Sequence, residues 1–184
     1  MTLRELLDDT TASWIRERPD LDLAAMGTAL RINQLMNAAL RGAEVLFAPH
    51  GITVGEFDVL AALRRGGTGT VLTPTTLARV AMISPAGMTN RLNRLEAAGL
   101  IVRRPDPDDR RGSLVEVTPT GYATADRAVE DLVAVENELF RELSATERQR
   151  LDRTLDKLID RLDRAPTDAS VPRPAVAQRA RNTP

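Results

Sequence analysis

Residues 73–117 read TPTTLARVAMISPAGMTNRLNRLEAAGLIVRRPDPDDRRGSLVEV, and the elements they encode organise the rest of the chain. Thr73-Pro74 opens a helix, threonine being a good N-cap and proline suited to the first helical position. Leu77, Val80 and Ala81 give that helix an apolar face. Ser84-Pro85 repeats the start signal, and a second helix runs to about Ala98. Met88, Leu92 and Leu95 point inward at i, i+4, i+7, while Thr89, Asn90, Arg91, Asn93 and Arg94 populate the other faces. Gly99 ends the helix as a C-cap. Leu100-Ile101-Val102 and Leu114-Val115-Glu116-Val117 then predict two strands around a loop, Arg103 to Gly112, composed of turn formers and charge. Two short helices meeting at a turn, followed by an arginine-rich hairpin, suit DNA. The polar helix face fits a major groove, and the hairpin tip fits a minor groove or phosphates.

The candidate nucleic-acid contacts are therefore Ser84, Thr89, Asn90, Arg91 and Arg94 on the second helix and Asp109, Arg110 and Arg111 at the hairpin tip. Arg110 and Arg111 have no core to serve there. Asp109, two residues before Arg111, can hold that guanidinium as a bidentate partner. The ordinary alternatives are a solvated helix face and a solubilising loop. Net charge is −1, so the chain is no general polyanion binder, but charge is unevenly spread. Ser84 to Arg104 carries four arginines against one acid, whereas Met1 to Asp22 carries three arginines against six acids. A local basic face suffices for a sequence-selective binder, since phosphate contacts do not require a uniformly basic chain.

Flanking this stretch, the pattern is helical. Leu3, Leu6, Leu7, Thr11, Trp14 and Ile15 fall on one side of a helix over about residues 2–17 that ends before Pro19. A longer helix, about Leu23 to Ala48, is expected to be capped by Asp20 or Asp22 and to stop at Pro49-His50-Gly51. Thr53-Val54-Gly55-Glu56 is a capping box that opens a helix through about Arg65, and Thr70-Val71-Leu72 is a candidate short strand joining the hairpin. After the hairpin, Thr118-Pro119 starts a helix carried to about Leu143, and Ser144-Ala145-Thr146-Glu147 caps the last one. Leu151, Leu155, Leu158 and Leu162 follow at steps of four, three and four, the spacing of a two-helix seam. These apolar stripes exceed what one small core can bury, which predicts a partner surface.

The run Thr89-Asn90-Arg91-Leu92 through Leu95-Glu96-Ala97-Ala98-Gly99-Leu100-Ile101, then Asp109-Arg110-Arg111-Gly112 and Val117-Thr118-Pro119-Thr120-Gly121, resembles the MarR family of winged-helix regulators. Asp109, Arg111 and Thr118 match that family's hairpin signature, Asp-x-Arg-(six residues)-Thr. The segment Trp14 to Asp22 resembles the extension of the PecS and urate-responsive subgroup. The resemblance implies a mainly α fold with a small antiparallel β-wing, a winged helix-turn-helix, and a homodimer built through the N- and C-terminal helices. The implied division is an extension helix at 1–22, a dimerisation helix at 23–50, the DNA-binding domain at 51–118 and C-terminal dimerisation helices at 119–164; from Ala165 the composition turns to Pro, Ala, Thr, Asp and Arg without periodicity, which predicts a disordered tail at 165–184. It further implies a ligand-responsive DNA-binding transcriptional regulator, most simply a repressor, on a palindromic operator whose half-sites lie about 10 bp apart or one turn more. Trp14, Asp58, Arg91 and Arg103 occupy the positions that line the subgroup's effector pocket, which implies a small anionic aromatic effector such as urate. Trp14 has an alternative as a hydrophobic anchor of its helix, and Asp58 as a structural ion pair. The rival function is a structural or partner-binding winged-helix protein that does not read DNA specifically.

Composition closes off other classes. Zero cysteines exclude disulfides, thiolate metal sites and a thiol switch, and fit a reducing cytoplasm. His50 is the only histidine and sits in a helix-ending Pro-His-Gly, so no metal site, cofactor site or catalytic triad assembles, and an enzyme is not expected. No apolar run approaches the ~20 residues that span a bilayer, so no membrane association is expected.

Overall fold

Helix α3 (Val54–Arg65) is the axis of the fold, with seven of its residues, Glu56, Phe57 and Val59 through Leu63, buried. In a computed structural model, the structure describes residues 1–81, 84–107, 109 and 112–164. Around α3 the order is α1 (Leu3–Glu17), α2 (Met26–Phe47), a 3-10 turn (Ala48–His50), then after α3 β1 (Val71–Leu72), α4 (Pro74–Val80), α5 (Pro85–Ala97), β2 (Ile101–Pro105), β3 (Ser113–Val117), α6 (Pro119–Leu139) and α7 (Ala145–Arg164). The chain forms two compact units, Met1–Val135 and a second beginning at Glu136, so the boundary falls within α6. Among the described residues no single helix is long and apolar enough to cross a membrane.

The first unit's core follows from the apolar spacing. Phe47 at the end of α2 stacks on Phe57 of α3 with ring centroids 4.3 Å apart. Val59, Leu60 and Leu63 meet Leu77 of α4, the Met88, Leu92 and Leu95 seam of α5, Ile101 and Val115 of the sheet, and Ala125 and Ala128 of α6. Full burial of each larger side chain contributes about 1.5–3 kcal/mol. The first unit also holds α1 against α2, where Arg31 pairs with Asp8 and donates to the Gly27 carbonyl at 2.9 Å. His50 reaches α6, its Nε2 lying 2.8 Å from Asp131 Oδ2.

Both expected capping boxes form. The Glu56 carboxylate accepts from the Thr53 amide at 2.7 Å, and the Glu147 carboxylate accepts from the Ser144 amide at 2.9 Å. A third, Thr2 with Glu5, opens α1 and was not anticipated. Two helix boundaries depart from the sequence expectation. Helix α2 begins at Met26 behind Ala25 without a side-chain cap, because the Asp22 carboxylate is spent on the Ala24 amide, turning the chain before the helix starts. Helix α6 ends at Leu139, and the Leu143 amide closes a turn on the Phe140 carbonyl at 3.0 Å.

The hairpin strands are longer than expected. Arg103, Arg104 and Pro105 are strand residues opposite Val115, Leu114 and Ser113. The sheet order β1-β3-β2 puts β2 at an edge, where proline is tolerated and Arg104 is exposed, while Arg103 turns to α5. The remaining turn is closed by the Gly112 amide on the Asp109 carbonyl at 2.8 Å.

Candidate nucleic-acid interface

Helix α5 is held in place by its ends and by one face. Ser84 caps it, its Oγ accepting from the Gly87 amide at 3.3 Å. Met88, Leu92 and Leu95 are each only 1% exposed, which fixes the helix's rotation about its axis. Gly99 leaves it with a φ of 69°, a left-handed conformation that glycine adopts without strain. The rotation turns Thr89 and Asn90 outward as exposed residues.

The two arginines of α5 lean toward the N-terminus of α3. The Arg94 Nε lies 2.8 Å from Glu56 Oε1, and that side chain is 68% exposed while the Glu56 side chain is 4% exposed. Arg91 lies across Gly55, so that a Cβ there would collide with its Nε and come within 2.6 Å of its Nη2. Half-buried Asp58, one turn further along α3, faces Arg91 and Arg65. Burial lifts its carboxyl above the usual carboxylate range, against the pull of those two guanidiniums. Next to the α3 N-terminus is a cleft of about 510 Å³, lined among others by Glu44, Gly55, Arg91 and Arg94.

The other flank of α5 is tied to the wing. Arg103 of β2 donates from Nε to Glu96 Oε2 at 2.9 Å and from Nη2 to Asn93 Oδ1 at 2.7 Å. This holds the Glu96 carboxyl below its ordinary range. Arg104 pairs across the hairpin with Glu116 at 3.2 Å. The wing's base is stitched by Thr118, whose hydroxyl donates to the Gly99 carbonyl at 2.7 Å and accepts from the Gly121 amide at 3.0 Å. Arg110 and Arg111 lie outside the described residues. Trp14, 49% exposed, lines a groove of its own helix with Asp9, Thr10, Ser13 and Glu17.

Of the four positions assigned to an effector, the structure therefore brings Asp58 and Arg91 together, sets Arg103 on Glu96 and Asn93, and puts Trp14 in a groove of α1. Sequence inspection missed Glu56, Asn93 and Glu96 as arginine partners. For Glu56 a signal existed, because a capping carboxylate in an apolar helix has a second oxygen that needs a partner once buried.

The upward shift of the Asp58 carboxyl has a testable sign. The folded chain holds the Asp58 proton more tightly than the unfolded chain. That contribution is fully present below the ordinary carboxylate value and is lost as pH rises through the raised native one. Asp58→Asn is therefore expected to raise the melting temperature at pH 7, with the gain vanishing toward pH 3, as followed by circular dichroism across that range.

A buried-seam helix entered through a second short helix, with an antiparallel hairpin packed beside it, defines a winged helix-turn-helix protein. Residues 50–112 match the MarR family model. The chain is 34% identical over 155 residues to the HTH-type transcriptional regulator PecS of Dickeya dadantii, covering 83% of this chain and 92% of that one. A cysteine-to-serine mutant of MarR from E. coli complexed with operator DNA superposes with a TM-score of 0.61 at 27% identity, covering 76% of this chain and 99% of that one. BpsR of Bordetella bronchiseptica, whose structure concerns regulation of DNA binding by 6-hydroxynicotinic acid, superposes with a TM-score of 0.57 at 27% identity, covering 71% and 99%. The chain belongs to the MarR family, in its PecS subgroup, and is a DNA-binding transcriptional regulator rather than an enzyme.

Proposed function

We propose that the chain is a homodimeric cytoplasmic repressor that holds a palindromic operator and releases it when a small anionic aromatic compound, urate or one like it, binds among Trp14, Asp58, Arg91 and Arg103. The observation that carries this reading is Arg91. It stands on the recognition helix, yet its guanidinium lies over Gly55 beside a half-buried carboxylate and a cleft. An anion entering there competes with Asp58 for that guanidinium through charge-assisted hydrogen bonds, and drawing Arg91 toward the cleft pulls on α5, which carries it. Binding the DNA-free form ~10- to 100-fold better supplies the roughly 1–3 kcal/mol typical of allosteric coupling. BpsR, regulated by an aromatic carboxylic acid, gives a precedent for this effector chemistry in a relative.

The test uses a duplex selected from a random-sequence pool by the native protein. Urate is expected to release it, and Trp14→Phe and Asp58→Asn are expected to bind DNA but respond weakly. A complex that survives millimolar urate and salicylate, with unquenched Trp14 fluorescence, sinks the effector reading.

On the DNA side, Ser84, Thr89, Asn90, Arg91 and Arg94 would face a major groove, and Asp109, Arg110 and Arg111 would serve the wing. Arg111→Ala should weaken operator binding by about 1–3 kcal/mol without lowering stability, as for loss of a groove contact. Gel-shift affinity equal to that of the native chain would remove the wing from the interface.

A further inference from the structure

Glu56 is a buried carboxylate that the regulatory reading leaves unused. Its Oε2 closes the cap of α3, accepting from the Thr53 amide at 2.7 Å and the Thr53 hydroxyl at 2.9 Å. That satisfies one oxygen. The other, Oε1, lies 2.8 Å from the Arg94 Nε. A carboxylate this deeply buried is costly without a cation, so Arg94 is not free to swing away from it. The guanidinium is planar, and once Nε is engaged on Glu56 its terminal Nη groups are the remaining donors. They belong to a side chain that is otherwise 68% exposed, on a flank of α5 away from the Met88, Leu92 and Leu95 seam.

We infer that Glu56 is a positioning residue for DNA binding: from inside α3 it aims the Arg94 guanidinium so that its Nη edge meets the nucleic acid. The inference rests on the assignment of Arg94 as a DNA contact and goes beyond it by naming what orders that side chain. A long arginine otherwise loses rotamer freedom on binding, and an ion pair with a carboxylate on a rigid element removes part of that cost in advance. Here the rigid element is the first turn of the helix at the centre of the core. Recognition helix and scaffold are thereby joined through one carboxylate that serves as both cap and arginine support.

The sign of the effect separates this from simple electrostatics. Glu56→Gln removes a negative charge near the DNA face, so charge alone predicts tighter binding. Positioning predicts weaker binding. Glutamine still closes a capping box, so α3 keeps its cap and the thermal midpoint should stay near the native value.

On the duplex selected by the native protein, Glu56→Gln is expected to lower affinity about 10-fold, within the range for a well-ordered arginine contact. In an Arg94→Ala background the same change should add nothing, because the two residues act as one unit. Arg94→Lys keeps a cation on Glu56 but has no fork, and is expected to lose affinity to a similar extent. That variant keeps the idea testable should Glu56→Gln fold poorly. Unchanged or tighter binding by Glu56→Gln, with Arg94→Ala weakened, overturns the positioning role alone. Native affinity in Arg94→Ala overturns the contact itself along with it.

Discussion

Gly121→Ala is expected to destabilise the chain by about 2–3 kcal/mol, at the upper end of overpacking substitutions. Its melting temperature should fall by about 4–12 °C at fixed protein concentration, since a chain of this size loses roughly 2–4 °C per kcal/mol. In a helix an alanine ordinarily gains about 1 kcal/mol over glycine. Here it loses, because a Cβ at 121 would strike the Leu100 carbonyl oxygen and approach Val117 Cγ1 at 2.7 Å. Neither obstacle is a flexible side-chain end. The Leu100 carbonyl already accepts from the Thr118 amide at 3.1 Å, and Val117 is paired with Ile101 in the sheet. Relief therefore requires α6 to lift from the junction of recognition helix and wing. Operator affinity should fall with stability, because the Thr118 bridge to Gly99 lies in the same turn. Calorimetry showing an unchanged midpoint would mean that this junction is soft.

That junction also marks where the sequence was readable and where it was not. The Met88, Leu92 and Leu95 seam, the Thr53 and Ser144 caps and the Gly99 stop are local signals, each written within one helix's own residues, and each is found in the structure. Arg103 and Arg104 read as loop because charge is usually loop. What makes them strand is the backbone ladder to Val115 and Leu114, with Glu116 across the hairpin and Glu96 on α5 taking their charges, partners that only packing supplies. The same limit applies to the site. A helical wheel identifies Arg91 and Arg94 as surface residues of α5 without saying that both lean on the first turns of α3. That direction is set by how the two helices cross, and Glu56 and Asp58 lie too far away in sequence for periodicity to report it. The family resemblance grouped Asp58 with Arg91, a pairing that spacing alone does not reveal.

Leu155→Glu with Leu158→Glu is expected to convert a dimer to a monomer by light scattering at micromolar concentration. It should also lower operator affinity about 100-fold or more, the avidity lost when two linked half-site modules become independent. Helix α7 is 20 residues long and buries none of them within the chain. Leu151, Leu155, Leu158 and Leu162 nevertheless lie along one face, with Leu155 and Leu158 39% and 48% exposed. A helix of this length carrying so regular an apolar stripe is marginal alone in water, and its stability comes from whatever covers that face. In the first unit, α2 likewise leaves Ile32, Leu35, Met36 and Leu40 exposed at helical spacing. Two such stripes in each copy are enough for an interface above ~2,000 Å², the range of obligate pairs. Glutamate is a good helix former, so the double change should preserve helicity by circular dichroism while placing like charges face to face across the seam. A native protein that already scatters as a monomer would sink the dimer. A variant that remains a dimer with native affinity would instead move the interface from α7 to the α2 stripe.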